Sequence, residues 1–487
     1  MVVDFRKKTR RNISMLMAGI IFLVGLIYFD KESEKQVFNN INNKVNEYKM
    51  DVILDDESKR LMCNQTIDYV NNTKESLDSI YFHIYPNAFS EEENVPFEKS
   101  QMKQAYPKGF NEGYIDIKNI IINNSKAEYS IEGEKNDILN IKLNKGLKAN
   151  ENIKIDIKFN VKLPNSEGRF GYGENTINIT NWFPIACVYD ERGWNTKSYE
   201  TIGDPFYSDI SNFKVTILSP AKYDIATTGK VIETKTDNKK DMNTIEAKNV
   251  RDFAFILSDK FHIEKDNINN VEIVTYSLDS KYSKLATDVA RDSIKIFSDM
   301  FGQYPYENYS VIASDFYIGG MEYPNLSMID KSLYSNMNKF LLEYVIAHET
   351  AHQWWYGVIG NDEVSEPWID EALTEYSTIL YFEKKYGADA ASRLMETMDT
   401  QTRSYSDKDI FKSTDQYKSS TEYSLNVYTK GAVMFHRIRE EVGDKVFFKV
   451  LREYYETYKF KNVNGTQFVE LWGKNGVDIE KIIGKYK

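Results

Sequence analysis

The hydrophobic pattern of this chain changes period once, near residue 270, and that change divides the fold into two kinds of layer. Before it, apolar and polar residues alternate. In IKIDIKFNVKL, Ile153, Ile155, Ile157, Phe159, Val161 and Leu163 fall on one side of an extended strand and polar residues on the other. LDSIYFHIY (77–85) and FKVTI (213–217) repeat the pattern with Asn and Gly clusters between them, so residues 50–265 read as an antiparallel β domain with one wet face. After VEIVTYSL (271–278), Leu285, Val289, Ile296 and Met300 recur at three- and four-residue multiples, the spacing of an amphipathic helix that stops at Gly302. Helical patterns follow over 338–356, 367–386 and roughly the last sixty residues. Pro367 suits a first helical turn, where its missing N–H costs nothing. The expected class is α+β: an N-terminal antiparallel β domain, then a mainly helical domain over 266–487.

A chain of 487 residues with 41% hydrophobic and 14% aromatic content can bury a large core in more than one domain. Its net charge of -11 argues against nucleic acid, which needs clustered Lys and Arg, and suits cationic or amine-bearing ligands. Two cysteines, Cys63 and Cys187, cannot form a disulfide framework and read as separate buried thiols.

One stretch departs from globular composition. Residues 1–12 contain RKKTRR and read as a basic cytoplasmic tail; residues 13–29 carry no charge and would span about 25 Å as a helix, close to a hydrocarbon core. The flanking charge then predicts a single-pass signal-anchor in the cell membrane, with the lipid bilayer as partner and the body of the chain outside. A cleaved signal peptide is the alternative, though no small-residue site follows the run. Residues 30–49 are polar and read as a stalk. Few cysteines and abundant Asn, Lys and Ile point to a bacterial source.

Two of the five histidines lie in VIAHETAHQWW (345–355). On a helix, His348 and His352 at i and i+4 leave the same face and can meet one ion, while Glu349 is turned about 100° away, within reach of a water on that ion. Single core histidines are usually satisfied by hydrogen bonds, but a chain with so few rarely shows H-E-x-x-H by accident. Two imidazoles leave a catalytic zinc one protein ligand short. Glu371, nineteen residues after His352 in WIDEALTEY, can return from an antiparallel second helix to supply it.

At this point the sequence resembles the aminopeptidase N family of gluzincin zinc metallopeptidases, whose motifs appear in family order. They are HETAH with Glu371, GGMEYP (319–324) and YTKG (428–431). The resemblance runs from about residue 50 to the end, is strongest over 270–435, and includes FAFILSDKF (253–261) at the domain junction. It implies a thermolysin-like catalytic domain and one zinc ion per chain on His348, His352 and Glu371. It also implies a hydrolase that removes N-terminal residues from peptides by attack of a zinc-held water on the first peptide bond. Glu349 matches the general base and Tyr428 the phenol that steadies the oxyanion. Glu322 matches the carboxylate that binds the free α-amino group, while Gly319, Gly320 and Met321 belong to the strand along which the peptide lies.

Asp370 and Ala372 replace the family's usual Asn and Gly beside the third ligand. A second amine clamp is expected from the β domain near Asn178–Asp190, but that segment offers Asn and Thr; Glu174 is the acid nearby. The helical C-terminal domain of larger members has no counterpart in the sequence, which predicts a more open cleft. Two alternatives stay open here: a zinc hydrolase of a non-peptide electrophile such as an epoxide, and a catalytically silent peptide-binding ectodomain.

Overall fold

Alternation over residues 153–163 does place a strand, Asn152–Lys162, with Ile155, Ile157, Phe159 and Val161 at 0–1% exposure. The computed structural model describes residues 45–403 and 409–486. Asn152–Lys162 belongs to an eight-stranded sheet with Asn46–Asp55, Arg60–Val70 and Ser211–Pro220 near its centre. Pairing is antiparallel except between Asn46–Asp55 and Ser211–Pro220, which run parallel. The first of these strands takes in residues 46–49, which composition had grouped with the stalk. Two four-stranded sheets pack with this one around a core that includes Phe82, Ile141, Trp182, Phe183 and Phe255.

A five-stranded sheet follows, in the order His262–Ile268, Val271–Ser277, Asn308–Ser314, Leu326–Asp330, Gly320–Met321. It is the wall shared by the two halves of the fold. Ile312, Phe316, Met321, Leu326 and Met328 join the core of the β half. Ile273, Val311, Ala313 and Ile329 instead join the helical core, with Ile294, Phe297, Ile346 and Trp354. Gly320–Met321 ends up as an edge strand, open on the side away from Leu326–Asp330.

The helix expected after residue 278 runs Ser283–Phe301 and stops at Gly302. The helix bearing the histidines spans Lys339–Ala351, with His352 as its C-terminal cap, and the one beginning at the proposed third ligand spans Glu371–Tyr386. Both are shorter than the periodicity suggested. After Ala351 the chain turns through bonds such as Gly357 N–H to His352 O at 2.9 Å, and Pro367 initiates a turn, Glu371 N–H to Pro367 O at 3.2 Å, rather than the helix proper.

The cell-membrane location and the bilayer partner are corrected. No helix among the described residues is long and apolar enough to cross a membrane. The basic tail, the apolar run of residues 13–29 and the stalk up to residue 44 lie outside the described residues. Seventeen uncharged residues sit at the lower limit of the roughly 20 a spanning helix needs, so hydropathy alone did not carry the location.

Candidate metal centre and adjoining acidic pocket

The i, i+4 spacing brings the His348 and His352 rings to 4.9 Å between centroids. The second helix then delivers Glu371 to both: its Oε2 is 3.0 Å from His352 Nε2 and 3.5 Å from His348 Nε2. One ligand atom from each residue lies within 4.8 Å of the others, and all three residues are buried. The opposite ring nitrogens are engaged elsewhere. His352 Nδ1 faces the Trp355 carbonyl at 3.1 Å and Thr374 Oγ1 at 3.2 Å; His348 Nδ1 faces Glu375 Oε2 at 2.9 Å. Glu375 is itself held by the Tyr344 hydroxyl, which donates to its Oε1 at 2.5 Å. With Nδ1 committed outward, each ring presents Nε2 inward beside a carboxylate. That N, N, O donor set with outer-shell carboxylate support suits zinc.

The electrostatics follow from burial and proximity. Burial alone would lower the His348 imidazole, but Glu371 and Glu375 beside it reverse this and raise it to about 10. Burial would likewise raise Glu371, yet the His352 and His348 imidazoles hold it well below the usual carboxylate range. A divalent cation would take over the role those protons play.

Glu349 projects from the same helix toward the edge strand. A Cβ at position 320 would overlap its carboxylate, so any other residue there would displace Glu349. Burial, and then the nearby charge of Glu322, push Glu349 up to about 8; its Oε2 is buried with no hydrogen-bond partner. Glu322 is 4% exposed, and its Oε1 also lacks a partner. The turn that carries it is pinned by Gln353, whose amide donates to Tyr323 O at 3.2 Å and accepts from Asn325 N–H at 2.8 Å. Tyr428 donates its hydroxyl to Glu371 Oε1 and stacks on His348 at 5.7 Å between ring centroids.

Asp204 was missed by the sequence reading. It comes from a β-half loop, is buried, and pairs with Arg169; its carboxylate lies with those of Glu322 and Glu371 in a group whose oxygens are within 4.8 Å of one another. Burial raises it to about 7 against the opposing pull of Arg169. Glu174 is on the surface, 3.4 Å from Lys108. Thr180 and Asn181, in the segment where a clamp was expected, instead lie 2.7 and 2.9 Å from the Tyr323 hydroxyl. Glu375, Tyr344 and Gln353 were also missed. For Glu375 a signal existed, because it lies one turn beyond Glu371 on the same helix face.

Residues 285–486 match the Peptidase family M1 domain. Probable aminopeptidase 2 of Sulfurisphaera tokodaii is 26% identical over 235 residues, covering 43% of this chain and 29% of that protein. Tricorn protease-interacting factor F2 of Thermoplasma volcanium is 22% identical over 304 residues, covering 58% and 37%. The chain thus spans about a third of the length of these relatives. An M1 zinc metallopeptidase from Deinococcus radiodurans has the same fold, with a TM-score of 0.65 at 15% identity over 91% of this chain and 93% of that one. A variant of it bound to a Tyr-Ser-Ala substrate gives 0.64 at 15% identity, over 90% and 93%.

Proposed function

We propose that this chain is a zinc aminopeptidase that hydrolyses the first peptide bond of peptides with a free N-terminus. The observation that carries this reading is the pair of buried acids, Glu322 and Asp204, grouped with Glu371: an anionic pocket beside the metal centre, with an unpartnered oxygen on Glu322. An anionic pocket of this kind calls for a cationic occupant, and the substrate ammonium is the cation that would place the first carbonyl next to the metal.

His348, His352 and Glu371 would hold one zinc ion per chain. When bound, zinc would supply Lewis-acid polarisation to the attacking water and the scissile carbonyl. Glu349, with one oxygen free and its carboxylate against the edge strand, takes the proton from the water and delivers it to the leaving amine. Tyr428 moves its hydroxyl from Glu371 to the developing oxyanion, a donor already poised beside the reacting centre. Glu322 and Asp204 fix the ammonium. Gly320 and Met321, with Gly319 leading into them, form the sheet edge along which the peptide backbone can add as a further strand. The Deinococcus radiodurans structure with a tripeptide supports a peptide as the substrate class.

Turnover of a panel of fluorogenic aminoacyl amides tests this. Cleavage that is abolished by a chelator and restored by zinc is expected; a zinc-loaded protein that cleaves none of them would instead be a silent binder.

A further inference from the structure

The mechanism leaves one phenol of the site without a task. Tyr423 lies five residues before Tyr428, just ahead of the π-helical stretch Ser424–Lys430. A wider helical turn brings residues near that spacing onto one face. Their rings meet edge-on, 5.7 Å between centroids at 79°, and the Tyr428 ring in turn stacks on His348. Tyr423 is 5% exposed, and its hydroxyl is buried with no hydrogen-bond partner in the protein.

On its other side is the backbone that carries Asp204. Gly203 has φ +74°, and a Cβ there would come within 3.1 Å of both Cζ and Oη of Tyr423. The hydroxyl therefore lies against Gly203, the residue before the Asp204 that groups with Glu322 and Glu371. Burial, then the charges of Glu371 and Asp204, push this phenol up, in keeping with its facing the acids.

A buried hydroxyl without a partner is costly unless a ligand completes it. Carboxylates surround it, so a cationic hydrogen-bond donor drawn in among them would find this oxygen free to accept. A primary ammonium carries three N–H groups, and Glu322 and Asp204 account for two. We infer that Tyr423 is a substrate-contacting residue whose hydroxyl oxygen accepts the third N–H of the substrate ammonium. The site then selects primary amines over N-methylated ones. This rests on the aminopeptidase reading and adds a residue and a selectivity to it.

Binding of L-leucinamide and its N-methyl derivative to the zinc-loaded protein, measured by calorimetry, tests the inference alongside turnover of the matching fluorogenic amides. In Tyr423→Phe, which keeps the ring against Tyr428, L-leucinamide should bind about tenfold more weakly. KM for the primary amine should rise by about the same factor, with kcat within about twofold. The N-methyl ligand should be unaffected, and zinc content and Tm unchanged. Equal binding of L-leucinamide to both proteins would overturn the inference, as would a fall in kcat shared by both substrates, which would mean that Tyr423 merely props Tyr428. A wild-type protein that binds L-leucinamide by this pattern but turns over no substrate would sink the aminopeptidase reading alone. Failure of wild type to bind it would sink both.

Discussion

The metal centre and the acidic pocket adjoin one another yet are braced in opposite ways. Around His348 and His352 every ring nitrogen faces an internal partner, and the carboxylate behind His348 has a tyrosine behind it in turn. In the pocket, Glu322 Oε1, Glu349 Oε2 and the Tyr423 hydroxyl have none, although all three residues are buried. Over-determination suits a place where an ion must be fixed in one geometry. Missing partners suit a place that substrate and water complete on arrival.

Removing the proton acceptor should break this contrast most severely. Glu349→Gln is expected to cut kcat about a thousandfold while zinc content, set by the braced half, stays at wild type. Loss of zinc along with activity would show that the two halves are not separable. Next in size, Glu322→Gln should lower kcat/KM for a free-amine substrate about a hundredfold and leave an N-acetyl analogue unchanged, as steady-state kinetics on the two substrates will show.

On the braced side, Glu375→Gln should weaken zinc binding about tenfold or somewhat more, read by competition with a chromophoric chelator, with kcat near wild type once zinc is saturating. An unchanged affinity would mean that the His348 orientation does not depend on this carboxylate.

The smallest effect concerns a buried carboxylate of neither kind. Asp252 accepts from Asn181 and from Phe253 N–H, both at 2.6 Å, and burial raises it from 3.8 to about 7. Folded protein holds that proton up to about pH 7, whereas unfolded chain releases it near pH 4. This group's contribution to stability therefore falls as pH rises through that window. Asp252→Asn should remove the fall, so that the variant gains a few degrees of Tm relative to wild type between pH 5 and pH 8. A pH-independent difference in melting would contradict the shift.

The same contrast explains what could be read in the sequence. The helical part of the metal centre is local: H-E-x-x-H needs one helix, Glu371 begins the next long one, and the resemblance to a known motif picked that acid out from its neighbours. Strand alternation was equally legible wherever one face was wet, as in Asn152–Lys162. The pocket was not legible beyond Glu322. Asp204 and Arg169 come from loops of the β half, and only tertiary packing joins them to a strand more than a hundred residues later. A loop acid has no period to betray it. The parallel pairing of Asn46–Asp55 with Ser211–Pro220 was hidden for the same reason, since alternation fixes which face is buried and not which strand is the neighbour.

The most direct measurement is the ratio of kcat/KM for one aminoacyl amide with its α-amine free and with that amine acetylated, on zinc-loaded protein. If Glu322 and Asp204 form the amine site, the free amine should be favoured by about a thousandfold or more, because the acetyl form leaves buried acids unpaired. Comparable cleavage of both forms would contradict the assignment and return those acids to a structural role.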